Sequence, residues 1–212
     1  MTAATAGLEG EMEPRRFAVT YDYRCPFARN AHEHVVAALD DGAGWTVEFV
    51  PFSLTEAHRE DGEPSAFERA DQGTAMTAME AGIVVRDRFP DRFTALHMAL
   101  FTARHDDGRD LRDEAVVRDV LRGQGVDDDA VFDAIADGWP RAVFRAGHEA
   151  AVADHQVFGV PTFIAGDASA FVRIMSRPDG DAALARATVD HVLDLLVSHP
   201  ELNEFKHTSI ER

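Results

Sequence analysis

The chain carries one cysteine, Cys25, where an alternating run of β-branched and aromatic residues gives way to Pro26 and a helical pattern. A sulfur at a helix start faces unpaired backbone N–H groups and the positive end of the helix dipole, and both favour the thiolate. The thiolate is the form that attacks electrophiles and disulfides. Arg24 and Arg29 stand close in sequence and add positive charge. Pro26 at the first helical position removes an N–H that would go unpaired anyway. Phe27 supplies an apolar wall and no titrating group, so the sequence offers no local base. The competing reading is a buried cysteine serving as a small apolar residue. A single cysteine excludes an intrachain disulfide and an all-cysteine metal site.

The second group is Gly159-Val160-Pro161-Thr162. A proline that opens a strand cannot donate to the sheet and belongs at an edge or a bulge. With a cis Val160–Pro161 bond, the Val160 backbone would be open to pair with an extended substrate thiol. Thr162 adds a hydroxyl nearby.

Other chemistry-bearing residues have simpler readings. His32-Glu33-His34 places two imidazoles at i and i+2, about 200° apart on a helix, too divergent to share one ion; they read as solvated helix surface. Asp106-Asp107 and Asp127-Asp128-Asp129 lack the glycine and glutamate placements of a calcium loop and read as turn and cap residues. No metal is expected. His97 falls on the apolar face of its helix and reads as a core histidine. Met76, Met79 and Met98 read as core or groove filling, and Trp45 and Trp139 as core. No dinucleotide fingerprint and no phosphate-binding loop occur.

The elements that must position Cys25 and Pro161 follow from periodicity. Phe17 to Tyr23 alternates as a first strand. Pro26 to Leu39 reads as a helix and Trp45 to Val50 as a second strand closed by Pro51, so the opening is β-α-β. From about residue 65 to His155 the pattern is helical. Pro90 opens a helix with Phe93, Leu96, His97, Leu100 and Phe101 on one face. Asp113 caps Glu114 to Arg122, Asp127 caps a short helix through Ile135, and Pro140 opens another. Strand signal returns at Pro161–Ala165, then a Gly166-Asp167 turn and a second strand at Phe171–Met175. A last helix runs from Asp181 to Val197 with Leu184, Val189, Val192, Leu193 and Leu196 on its apolar face, stopped by Pro200.

Composition bounds the partners. The 212 residues are 45% apolar and 28% charged, an ordinary globular mix. Thirty-eight acidic residues against 21 basic ones give a net charge of −17, a field that repels nucleic-acid phosphates and anionic lipid. Lys206 is the one lysine among the basic residues. No apolar run is long enough to span a membrane, and the first residues lack the basic start and apolar stretch of a secretory leader. The expectation is a cytoplasmic, reducing setting with no membrane and no nucleic-acid partner.

Asp22-Tyr23-Arg24-Cys25-Pro26-Phe27-Ala28-Arg29 after a strand, with Phe158-Gly159-Val160-Pro161-Thr162-Phe163 before a hairpin, resembles the thioredoxin superfamily. The helical insertion between β-α-β and β-β-α is similar to its DsbA-like branch, which includes kappa-class glutathione transferases, hydroxychromene-carboxylate isomerases and mycothiol-dependent nitroreductases. The stretch from Ser198 to Thr208 also resembles the ending of the last group. The resemblance implies an α/β protein: a thioredoxin fold over residues 16–63 and 156–198 with an inserted all-helical domain over 64–155, a disordered arm at 1–15 and a tail at 199–212. It also implies a cis Val160–Pro161 bond packed beside Cys25. The family's C-x-x-C departs here to C-x-x-A, with Ala28 in the fourth position, so the protein cannot close its own disulfide. The implied activity is a thiol-dependent oxidoreductase with Cys25 as nucleophile and a small thiol, mycothiol or glutathione, as co-substrate and no tightly bound cofactor. Pro26, Phe27, Ala28, Val160, Pro161 and Thr162 would hold that thiol. The alternatives are an isomerase or transferase that binds the thiol without redox chemistry, and a non-catalytic binding protein with a degenerate site. In this family the helical insertion overhangs the active site, which implies that His97 or His155 could reach it. The chain would act as a monomer or a homodimer.

Overall fold

A computed structural model describes residues 15–69 and 73–209, so the arm expected at residues 1–15 lies almost wholly outside the described residues. Among the described residues four strands form one sheet, in which the first strand of the chain lies between the second and the third and the fourth is at the edge. Strand β1 (Arg16–Tyr21) pairs parallel with β2 (Thr46–Pro51) and antiparallel with β3 (Thr162–Ala165), and β3 pairs antiparallel with β4 (Ala168–Phe171). The parallel pair needs a crossover, and α1 (Pro26–Asp40) supplies it. A four-residue helix α2 (Leu54–Ala57), capped by Ser53, follows β2.

After α2, five longer helices among the described residues lead to β3: α3 (Gly73–Arg88), α4 (Pro90–His105), α5 (Glu114–Gly123), α6 (Asp128–Ala136) and α7 (Trp139–His155). Their starts follow the cap chemistry read from the sequence. Asp113 accepts the Ala115 N–H and Asp127 the Ala130 N–H, while Pro90 and Pro140 fall in first turns. The last helix, α8 (Ala182–Ser198), is capped by Asp181, whose carboxylate accepts the Leu184 N–H, and it packs on α1. The architecture is a thioredoxin-like fold interrupted by a helical insertion.

Several expectations are corrected. The second hairpin strand is Ala168–Phe171, not Phe171–Met175, because a two-residue turn after Ala165 brings Ala168 directly opposite it. Strand β3 begins at Thr162, after Pro161, and β2 ends on Pro51 instead of before it. Leu184 is exposed, since its place in the first turn of α8 lies beyond the stripe of Ala185, Val189 and Leu193 that faces the core. Trp45 and Trp139 are half-buried; Trp45 meets the Phe17 ring edge-on, and the Arg88 guanidinium covers Trp139.

His32 and His34 are fully buried, not solvated. Counting from Ala28, position 32 is i+4 and position 35 is i+7, so His32 sits on the stripe that α1 turns inward. His34 donates its Nδ1–H to the Asn30 carbonyl 2.9 Å away, one turn back.

Candidate active site

Cys25 is the N-cap of α1. Its extended backbone ends the β1–α1 turn, its N–H donates to the Asp22 carbonyl at 2.9 Å, and its Sγ accepts the Ala28 N–H at 3.5 Å. The thiol is 8% exposed. From the other half of the chain, the Val160 carbonyl accepts the S–H at 3.4 Å. The Val160–Pro161 peptide is cis. Residues 135 positions apart in sequence therefore meet atom to atom.

The turn that holds Cys25 is built on Asp22, a buried carboxylate with every lone-pair direction engaged. Oδ1 accepts the Arg24 N–H at 2.9 Å and Nε–H at 3.1 Å; Oδ2 accepts Arg24 Nη2–H at 2.8 Å and the Leu54 N–H at 3.0 Å. The opposite strand end is fixed by Thr162. Its N–H donates to Thr20 Oγ1 at 2.8 Å, and its hydroxyl donates to the Gly159 carbonyl at 2.8 Å. Val172 N–H closes the loop onto the Pro161 carbonyl at 3.0 Å. Among the described residues no acceptor meets the Val160 N–H.

The electrostatics differ from the sequence expectation. Burial pushes the Cys25 thiol above its ordinary value; the Ala28 and Phe27 N–H groups pull it down, but less, and the nearby Asp22 carboxylate pushes it further up. Neither expected cation serves the sulfur. Arg24 turns to Asp22, and Arg29 pairs with Asp106 at the end of α4. The cation that does favour the thiolate is Arg173, whose guanidinium lies 5.4 Å from the Phe27 ring centre.

The surroundings are of two kinds. Beside Val160 an apolar face carries Phe158, which is 68% exposed, with its ring 5.3 Å from that of Phe171. Beside Arg24 a cleft of about 500 Å³ is lined by Leu54, Thr55, His58, Arg59, Pro64 and Arg69. Pro26 is exposed, Phe27 is half-buried and Ala28 is fully buried at the fourth position, where its methyl can neither accept nor donate an electron pair. Cys25, Phe27, Ala28, Val160, Pro161 and Thr162 are thus gathered around one junction. His97 lies in the core, away from this opening, and His155 donates nothing to it; the residues missed by the sequence reading are Asp22, Arg173 and His105, whose Nε2–H donates to the Tyr23 carbonyl at 2.9 Å. Asp22 carries a sequence signal, an acid two residues before an arginine at a strand end. His105 and Arg173 carry none.

Among the described residues no cluster of histidine, cysteine or carboxylate side chains could hold a metal ion. No helix among them is long and apolar enough to cross a membrane.

Residues 18–179 match the model of the DSBA-like thioredoxin domain. No curated protein matches the sequence. Among solved structures, a 2-hydroxychromene-2-carboxylate isomerase superposes with a TM-score of 0.59 at 16% identity, covering 89% of this chain and 100% of that one. The cytosolic disulfide reductase DsbM from Pseudomonas aeruginosa, solved with GSH, gives 0.58 at 18% identity, covering 85% and 100%. A probable DsbA oxidoreductase from Streptomyces coelicolor gives 0.55 at 17% identity, covering 93% and 95%. At these identities the structural likeness speaks to the fold, and the sequence match carries the assignment: the chain belongs to the DsbA-like thioredoxin family.

Proposed function

We propose that the protein is a thiol-dependent oxidoreductase that works by single-cysteine exchange with a small thiol such as mycothiol or glutathione. The observation that carries this reading is the meeting of Cys25 Sγ with the Val160 carbonyl at the start of α1. A substrate laid along Val160 as an added strand would offer an N–H to that carbonyl and a carbonyl to the Val160 N–H. It would take the acceptor from the S–H and leave the Ala28 N–H to hold a thiolate.

The exchange balances without a second cysteine. The Cys25 thiolate attacks one sulfur of a small disulfide, an S–S bond forms as the old one breaks, and the displaced thiolate takes up the proton that Cys25 lost. A second small thiol then attacks the Cys25-bound sulfur, leaves as a new disulfide and returns Cys25 to its thiol. The cleft beside Arg24 and the apolar face at Phe158 are the surfaces that would seat the rest of the molecule. A cytoplasmic setting, where small thiols stay reduced, fits such chemistry, and the DsbM neighbour is a cytosolic disulfide reductase solved with GSH.

One observation favours a second reading. Burial holds Cys25 as a neutral thiol, which suits a site that binds a small thiol without a covalent step, as in an isomerase or transferase. Incubation with the oxidised forms of glutathione and mycothiol, followed by intact-mass measurement, separates the two. Exchange requires an adduct of one thiol on Cys25, reversed by the free thiol, and disulfide turnover that Cys25→Ser abolishes. A stabilising shift in melting temperature with no adduct supports the non-covalent reading. Turnover by Cys25→Ser overturns the nucleophile assignment.

A further inference from the structure

Tyr23, His97, His32 and Thr20 form one hydrogen-bonded chain in the core. Tyr23 Oη lies 3.0 Å from His97 Nδ1, His97 Nε2 lies 2.8 Å from His32 Nδ1, and His32 Nε2 lies 3.2 Å from the Thr20 carbonyl. Tyr23, His32 and His97 are at most 1% exposed.

The direction of every bond follows from its last member. A carbonyl only accepts, so His32 Nε2 carries the hydrogen and His32 Nδ1 is an acceptor. His97 must then donate from Nε2 and accept at Nδ1, and the Tyr23 hydroxyl donates to it. Burial keeps both rings neutral, and with both neutral this is the one arrangement that satisfies the chain. A proton added to His32 Nδ1 would require His97 to change tautomer and the Tyr23 hydroxyl to turn its hydrogen away and accept instead. The groups packed around the pair are the rings of Tyr21, Tyr23, Phe49, Phe93 and Phe101, none of them anionic.

The two ends of the chain are what give it consequence. Tyr23 stands two residues before Cys25, and its carbonyl is held by a further α4 side chain, His105. Thr20 accepts the N–H of Thr162, the residue after Pro161. The chain therefore spans from the segment that carries the sulfur to the segment that carries the Val160 carbonyl, with the inserted helix α4 supplying its central ring.

We propose that His97 and His32 are positioning residues: through Tyr23 and Thr20 they hold Cys25 Sγ against the Val160 carbonyl, so that the helical insertion sets the reactivity of the thiol. The proposal rests on the reading of Cys25 and Val160 as the site, but not on turnover.

The test is the pH profile of Cys25 alkylation by iodoacetamide, read beside the melting temperature. The charged groups that bear on Cys25 are Asp22 and Arg173, and no variant below touches them. His32→Leu fills the space and breaks the chain. It should release the S–H from Val160 and raise the alkylation rate at pH 7.5 roughly fivefold, the change expected from one lost hydrogen bond, with the midpoint moving down. His32→Gln keeps an N–H toward Thr20 and should return the rate toward that of the unmodified protein. Phe93→Leu, which trims a ring packed on His97 without touching the chain, should lose stability and leave the rate unchanged. A folded His32→Leu within twofold of the parent rate overturns the proposal, as does a Phe93→Leu that matches it. Should His32→Leu fail to fold, Tyr23→Phe, which removes only the hydroxyl, decides by the same criterion. A Cys25 that forms no adduct with small disulfides yet alkylates in a His32-dependent way removes the proposed function and leaves the positioning intact.

Discussion

Cys25 meets two opposing influences at one atom. The helix start offers it N–H groups, and burial denies it water; burial is the larger, so the resting group is a thiol donating to Val160. The same contest acts on the histidines behind it, without any offsetting charge. Burial holds His32 down at about 4 and His97 well below its ordinary value. An unfolded chain would protonate both near pH 6.5. Between that pH and about 4 the unfolded state binds protons that the folded state refuses. Stability is then complete above about pH 6.5 and falls on acidification, by up to ~1.4 kcal/mol per pH unit for each histidine. His105 and His148 are also held below the usual value and add to the slope. Urea unfolding at pH 7.5 and at pH 5 should show a clear loss at the lower pH, smaller in His32→Leu than in the parent. A midpoint that stays constant across that range would show that the pair is not buried neutral.

Elements rest on single atoms in places where the sequence shows only a residue type. Gly82 sits inside α3, where alanine is ordinarily better by about 1 kcal/mol. Here a Cβ would stand 2.6 Å from Tyr23 Oη, an atom pinned to His97. Overpacking of this kind costs about 1–3 kcal/mol, so Gly82→Ala should lower stability. Gly147 in α7 is the contrast: its Cβ would meet the Pro51 ring at 3.6 Å, an ordinary contact, and Gly147→Ala should raise stability by a few tenths to about 1 kcal/mol. Thermal melts of the two variants should move in opposite directions. Such cases mark what was legible beforehand and what was not. The starts of α4 to α7 were legible, because Asp113 and Asp127 cap the residues just after them and Pro90 and Pro140 fix first turns, whereas the starts of α2 and α3 were not marked off. The meeting of Cys25 with the cis Val160–Pro161 segment was legible through the family resemblance, since neither residue's local pattern contains the other. The second hairpin strand was missed, since Ala168-Ser169-Ala170 lacks β-branched residues and only pairing with β3 makes it a strand. The burial of His32 was readable from its spacing to Ala28 and Val35; its partner at the other end, His97, is a tertiary fact that no local pattern contains.

At the scale of the molecule, the insertion and the sheet share one interior. A continuous apolar cluster joins Val19, Phe49 and Phe163 of the sheet to Leu96 of α4, Leu121 of α5 and Phe144 of α7. Polar ties cross at the same boundary: the Ser53 N–H donates to His148 of α7, and Arg29 of α1 pairs with Asp106 after α4. Against this cohesion stands the net charge of −17, whose self-repulsion favours expansion. Ion pairs such as Arg118 with Asp128 at 2.7 Å relieve it locally, but exposed pairs contribute little each. With one interior, neither part can lose its structure and leave the other's apolar face covered, so unfolding should be a single transition. The two tryptophans report the two parts separately. Trp45 packs on Phe17 beside the sheet, and Trp139 opens α7 beneath Arg88. In Trp139→Phe the remaining fluorescence follows the sheet, and in Trp45→Phe it follows the insertion. Urea curves from the two variants, each corrected by its own far-UV circular dichroism, should give coincident midpoints between probes. A fluorescence midpoint in Trp45→Phe that departs from the dichroism midpoint of the same variant would mean that the helical insertion opens by itself. The chain from α4 to Cys25 would then be broken in part of the population before the sheet unfolds.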